Sequence, residues 1–315
     1  MITPFEKFKD NAVCITGYPK SGTTLLLSLL DHHPQLVVMP EELKFFDSTW
    51  PKKNDIYALF NVSGLSAFKP EAASSFNDNR DYSCIDYDYF KKTLTQRVRN
   101  AKSDKEIYLA IMETFFEVEN NGNSKKAHVE KSPNNEYNFP ELYKWFGKKL
   151  VILHVVRNPL DNFVSFRKKR EKAGRVFTMQ QFCRDWMFSN LLISEYQKMH
   201  REVHVIRYED MVDNPRLVMQ KVCAWVGINW SDTLLQPTRA GLPWSGNSMH
   251  NLNFQGISSE PKGIHKKILS QDEINQLCHM IYSPGFSFKL YLAKRLLIFK
   301  LKLRYPLISK ALKRH

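Results

Sequence analysis

No Cys-x-x-Cys pair occurs in the chain, and no His/Cys cluster has the spacing of zinc ligands. The five cysteines, Cys14, Cys84, Cys183, Cys223 and Cys278, stand singly, and an odd count argues against a full disulfide framework. Reduced, mostly buried thiols are the expectation. No apolar run reaches the roughly 18 residues of a bilayer span, because the longest candidate, YLAKRLLIFKLKL near the C-terminus, is broken by charges. The first expected strand begins near residue 12 and leaves no room for a signal peptide, so a cytoplasmic location is expected. Repeats and low-complexity segments are also missing. Acidic residues vanish from residues 289–315, which hold nine Lys/Arg of a chain whose net charge is +14; the remainder carries +5. A mildly basic body suits anionic ligands without naming one, and no nucleic-acid partner is expected.

What is present alternates strand and helix. Ala12–Thr16 (AVCIT) reads as a buried strand, a glycine-containing turn follows, and TTLLLSLLDHH reads as a helix. Lys148–Arg157 (KKLVILHVVR) is the clearest strand, and its continuous apolar run suits a parallel strand covered on both faces. Pro159 fits the first turn of a following helix. A helix is expected over about 178–199, a third strand over Val203–Met211, and a helix from Pro215 to Val226. Ser270 and Glu273 form a capping box before a further helix. Residues 50–105 read as an irregular or helical insertion. The pattern predicts an α/β fold, a P-loop-NTPase-like parallel sheet flanked by helices. Residues 1–288 are expected to form one domain and 289–315 a basic, partly apolar tail. Sites in such sheets lie at the carboxyl ends of strands.

The first turn, GYPKSGTT, has Gly17 and Gly22 at the separation of a phosphate loop, but Thr23 stands where the triphosphate-binding lysine belongs. The lysine is Lys20, inside the loop. Backbone N–H groups around Ser21, Gly22, Thr23 and Thr24 can face an anion at a helix N-terminus, aided by the two threonine hydroxyls. Magnesium–triphosphate chemistry also calls for an acidic metal ligand after a strand; Asp210 is the one weak candidate. Arg157 leaves the middle strand and Ser165 lies eight residues on. A guanidinium can grip a phosphate and a hydroxyl can complete the contact.

Together, YPKSGTT and VVRNPLDNFVSFRKKR resemble the two cofactor-binding motifs of sulfotransferases that use 3′-phosphoadenosine 5′-phosphosulfate (PAPS). The order of later elements, through RYEDMVDNP to WVGINW, fits as well, and the resemblance covers most of residues 12–285. It implies the sulfotransferase fold, PAPS as co-substrate, no metal, and a hydroxyl acceptor. It also implies that the first loop holds the phosphosulfate, with Lys20 at the phosphate–sulfate bridge stabilising charge on the leaving oxygen. Arg157 and Ser165 would then hold the 3′-phosphate.

In PEELKFFD (Pro40–Asp47), Glu41 and Glu42 are adjacent, so in an extended segment they point to opposite sides. Heparan-sulfate-type relatives carry a base glutamate three residues before a Phe-Phe pair, and Phe45–Phe46 thereby select Glu42. Some relatives have His two positions later; this chain has Lys44. HVEKSPNNEY resembles a family segment whose lysine lines the site, which makes Lys131 a candidate for the sulfate or its bridge. A late glycine-containing loop around Lys262 and Gly263 falls where relatives cover the 3′-phosphate. The usual arginine is missing, and Lys262, Lys266 and Lys267 are the candidates to replace it. His128, His154 and His32–His33 read as packing residues. The Glu42 resemblance favours a carbohydrate or glycolipid hydroxyl as acceptor. The alternatives are a nucleotide kinase or NTPase using Asp210, and a non-catalytic anion- or membrane-binding protein on the same fold. The tail is a candidate for peripheral contact with an anionic membrane.

Overall fold

A computed structural model of the chain describes residues 3–47, 50–51, 55–75, 81–119, 124–246 and 256–283. The basic tail and the membrane contact expected of it lie outside these residues.

Five parallel strands form the central sheet: β1 (Ala12–Thr16), β2 (Leu36–Val38), β3 (Ala127–Lys131), β4 (Leu150–Val156) and β5 (Val203–Arg207), in the order β2-β3-β1-β4-β5. β1 is central, with Ile15 beside both Lys131 and Leu153. Burial of both faces explains the apolar run Ala12–Ile15 of β1. Ala12 and Cys14 face one core cluster while Val13 and Ile15 face another.

The helices follow from caps and apolar faces. α1 (Thr23–Leu30) places Leu26, Leu27, Leu29 and Leu30 in the second cluster. The insertion is mostly helical, with short turns α2 (Ile56–Leu59) and α3 (Ser63–Ser66), then α4 (Tyr87–Asn100) capped by Asp86. α5 (Asp104–Glu119) packs Ile111, Met112 and Phe115 against the first cluster. Each fully buried side chain of this size contributes roughly 1.5–3 kcal/mol. After α6 (Phe139–Phe146) come α7 (Pro159–Lys172), α8 (Met179–Met199), α9 (Tyr208–Asp213) and α10 (Pro215–Val226). A two-residue strand pair, β6 (Thr238–Arg239) and β7 (Leu242–Pro243), precedes α11 (His265–Ile268) and α12 (Gln271–Tyr282). The Ser270–Glu273 capping box is present in full.

The α/β fold and parallel sheet agree with the sequence reading. The third strand does not extend to Met211: it ends at Arg207 and Tyr208–Asp213 is helical. Glu209 and Asp210 in that first turn favour the helix through its dipole. No helix among the described residues is long and apolar enough to cross a membrane. Cys14, Cys183 and Cys223 are buried free thiols, whereas Cys84 is exposed.

Candidate active site

The carboxyl ends of β1, β3, β4 and β5 lie along one edge, and the chemistry collects there. β1 runs into the Gly17–Gly22 turn, and Gly22 (φ 108°) starts α1 with no side-chain cap. The first bond within the helix is Leu26 N–H to the Gly22 carbonyl, 3.2 Å. The amides of the first turn therefore face the turn, as helix geometry requires. Lys20 holds a left-handed backbone (φ 70°), unusual for a residue with a Cβ.

Gly22 is required for two reasons. Its φ lies in the glycine region, and a Cβ would meet the Tyr208 ring at 2.4 Å. Gly22→Ala is expected to cost roughly 1–3 kcal/mol of stability, read as a lower urea midpoint. An unchanged midpoint would show that the loop relaxes freely.

The second motif clamps the first. Asn158 caps α7 at the Leu160 and Asp161 amides, with Pro159 in the first turn. Asn162 Nδ2 donates to the Pro19 carbonyl at 2.9 Å, and Arg157 Nη1 to the Lys20 carbonyl at 3.3 Å. Arg157 is 6% exposed and lies 4.5 Å from the Tyr208 ring centroid. Its Nη1 also approaches Ser165 Oγ at 3.4 Å, and Nη2 donates to the Pro261 carbonyl at 2.7 Å. Nε is buried without a hydrogen-bond partner. A buried guanidinium with two long Nη1 contacts and an unmatched Nε–H retains donor capacity for an anion, so the residues fit a phosphate.

The two glutamates diverge as an extended segment requires. Glu41 Oε1 accepts from Arg239 Nη1 at 2.8 Å and from the Tyr82 hydroxyl at 2.5 Å. Arg239 also donates to the Pro40 carbonyl at 2.5 Å, so Glu41 is committed to a buried structural cluster. Glu42 faces the pocket. Its Oε1 lies 2.5 Å from Lys131 Nζ, and its Oε2 lies 3.4 Å from Lys44 Nζ. Lys131, the last residue of β3, is 2% exposed and also donates to Thr24 Oγ1 at 3.2 Å. Its ammonium thus bridges the phosphate-loop helix and Glu42.

The pocket is lined by Lys20, Gly22, Thr23, Thr24, Glu42, Arg157 and Ser165, all residues singled out in the sequence. Lys169, Tyr208 and Trp244 line it too and were not anticipated. Lys169 lies one turn beyond Ser165 on α7, so the i,i+4 spacing could have found it. Trp244 follows the small β6–β7 pair, where no local pattern points to a site.

Four expected residues are not among those lining this pocket: Lys131, which is buried against Glu42, and Ser21, Lys262 and Gly263. Ser21 is buried, with its amide on the Tyr18 carbonyl at 3.1 Å and its hydroxyl packed beside Gly17. Lys262 pairs with Asp213 at 2.6 Å, drawing its charge away. The Gly263 amide donates to Asp161 Oδ2 at 2.8 Å. The late loop still reaches Arg157, through the Pro261 carbonyl. Lys266 and Lys267 are exposed on α11. Asp210 is exposed on α9 and is not among the lining residues. His128 and His154 are buried in the sheet, with His128 Nε2 against the Lys9 carbonyl at 2.9 Å, which fits packing roles.

Four lysines surround one carboxylate. Burial, followed by the charges of Lys169 and Lys131, lowers the Lys20 ammonium to about 8, so it remains mainly a cation at neutral pH. Burial also lowers Lys169. Burial pushes the Glu42 carboxyl up, but the charge and hydrogen bond of Lys131, with Lys44 and Lys169 behind them, hold it at about 2. The site therefore combines an ionised carboxylate, an anion-binding helix start and a separate buried guanidinium.

A family model described as "Sulfotransferase family" matches residues 12–232, more than two thirds of the chain. Among solved structures, the sulfotransferase domain of the Synechococcus PCC 7002 olefin synthase is 20% identical, with a TM-score of 0.57. That match covers 86% of this chain and 94% of that one. The sulfotransferase domain from the curacin biosynthetic pathway is 21% identical over 85% of this chain and 96% of its own, with a TM-score of 0.58. These two share the fold. Mouse sulfotransferase SULT7A1 complexed with PAP is 16% identical over 97% of this chain and 89% of its own, with a TM-score of 0.39. No curated protein matches. With the family match running from β1 past α10, the chain belongs to the sulfotransferase family and is a PAPS-dependent enzyme.

Proposed function

We propose that the chain transfers the sulfuryl group of PAPS to an alcohol, with Glu42 as general base. The observation that carries this reading is the convergence of Lys20 and Glu42 in one pocket, with Arg157 and Ser165 also lining it and Lys131 buried against Glu42. PAPS supplies an electrophilic sulfur and a phosphate leaving group. Glu42 takes the acceptor proton as the new O–S bond forms, and the electrons of the broken S–O bond leave on the 5′-phosphate oxygen. Lys20 and Lys131 stabilise charge on that bridging oxygen. Thr23, Thr24 and the first-turn amides hold the 5′-phosphate, and the Gly22 backbone allows the close approach. Arg157 and Ser165 hold the 3′-phosphate, so binding at a distance from sulfur positions the reacting end.

The acceptor is placed as a carbohydrate or glycolipid hydroxyl, following the Glu42 resemblance. Lys44 and Lys169 beside Glu42 favour an acceptor with an anionic group near that hydroxyl. Mass-spectrometric screening of acceptors with PAPS, reading the added sulfate, tests this class.

Calorimetry without magnesium tests the donor assignment. Adenosine 3′,5′-bisphosphate should bind more tightly than the 5′-monophosphate by ~1.5–3 kcal/mol, the worth of a hydrogen bond to a charged group. Equal affinities would overturn the roles of Arg157 and Ser165.

A further inference from the structure

We infer that Glu130, a buried carboxylate outside the pocket, is a positioning residue that holds the base-bearing segment in its reactive place. The inference rests on the reading of Glu42 as the base.

Glu130 and Lys131 are neighbours on β3 and so project to opposite sides of the sheet. Lys131 reaches Glu42 itself. Glu130 reaches the backbone that follows Glu42. Its carboxylate lies beside the Leu43 amide, which lowers its pKa. It also accepts from the Ser132 hydroxyl, and Ser132 Oγ in turn accepts from the Lys44 amide at 2.9 Å. Asn135 Nδ2 donates to the second carboxylate oxygen at 3.1 Å. One carboxylate thus acts on both residues after the base, holding the Lys44 amide through a hydroxyl relay and lying beside the Leu43 amide. Glu130 itself is not among the residues that line the pocket.

Lys44 sits at φ 52°, a left-handed backbone that persists only where its surroundings enforce it. The Ser132 bond supplies that enforcement. On the other side, Gly64 packs so closely that a Cβ there would lie 2.5 Å from the Glu42 carbonyl oxygen. The segment is held between the two.

Glu130 is 2% exposed. Its carboxyl stands at about 7: burial pushes it up most, the Ser132 bond, Lys131 and the Leu43 amide pull it down, and Glu42 pushes it up. Cys14 and Tyr108, across the first core cluster, complete its titratable surroundings. An apolar residue there would leave the Ser132 hydroxyl and the Asn135 side-chain amide without this acceptor, so the carboxylate has a local reason to be buried.

The test uses the full chain. Amide hydrogen exchange is followed at Leu43 and Lys44, affinity for adenosine 3′,5′-bisphosphate by calorimetry, and turnover with PAPS and the acceptor found by screening. Glu130→Gln should speed exchange at both amides about tenfold, as expected for loss of local protection. It should lower kcat by about 10²-fold, the order associated with small misplacement of a reacting group. Affinity for the bisphosphate and KM for PAPS should stay within about threefold, because the donor contacts are untouched. Ser132→Ala should speed the Lys44 amide alone and lower kcat less. Unchanged exchange at Leu43 and Lys44, or an unchanged kcat, in folded Glu130→Gln overturns the inference. If Glu130→Gln does not fold, Ser132→Ala decides through the Lys44 amide and kcat. Wild-type protein that neither binds the bisphosphate nor transfers sulfate would instead overturn the proposed function, while the amide measurements still report on the clamp.

Discussion

Glu42→Gln is expected to lower kcat by ~10²–10⁴-fold while affinity for adenosine 3′,5′-bisphosphate stays nearly unchanged. The amide keeps the side chain's shape but cannot accept the acceptor proton. The contacts assigned to the donor belong to other residues, so donor binding should survive. The neighbouring glutamate gives the contrast. Glu41 pairs with Arg239, which is 5% exposed. Glu41→Gln removes the carboxylate partner of a buried guanidinium, which costs about 3 kcal/mol where such pairs are broken. That variant should therefore melt earlier and keep most of its turnover per folded molecule. If Glu41→Gln loses turnover at full stability while Glu42→Gln keeps it, the base has been assigned to the wrong glutamate.

The parts of this site legible in the sequence were the parts carried by local pattern. β1, the loop and α1 are contiguous, and β4 with Arg157, Pro159 and Ser165 is a strong apolar run entering a capped helix. The divergence of Glu41 and Glu42 followed from extended geometry alone. β2 and β3 were harder to read. β2 has three residues, and β3 reads AHVEK, where His128, Glu130 and Lys131 are polar yet fully within the fold. Hydrophobic periodicity has no means of registering such residues, because their burial depends on partners such as Glu42, Ser132 and Asn135. Lys262 failed for the same reason in reverse. A basic residue in the expected loop found Asp213, 49 residues away, rather than the pocket. Trp244 enters the pocket lining after a two-residue strand pair whose Arg239 is anchored on Pro40 and Glu41, a long-range arrangement with no local signature.

Lys131→Met separates the two jobs this lysine could have. In the structure its ammonium joins Glu42 to Thr24 of the phosphate loop, at 2.5 Å and 3.2 Å. Burial alone would raise the Glu42 carboxyl, and Lys131 is the main group that reverses this and holds it at about 2. Removing the ammonium leaves burial opposed only by the weaker influence of Lys44 and Lys169, so the Glu42 pKa must rise. Carbon-13 spectra of labelled glutamate should show its titration moving upward from about 2. A carboxylate with a higher pKa is a stronger base. If Lys131 served only to keep Glu42 ionised, turnover measured above the raised Glu42 pKa would therefore hold or increase. The proposed role at the bridging oxygen predicts the opposite, a fall in kcat of ~10²–10³-fold, the usual loss on removing one transition-state donor. The two readouts should thus move in opposing senses, with a more basic Glu42 in a slower enzyme. A raised Glu42 titration with undiminished kcat would remove Lys131 from the transition state and leave Lys20 alone at the bridging oxygen.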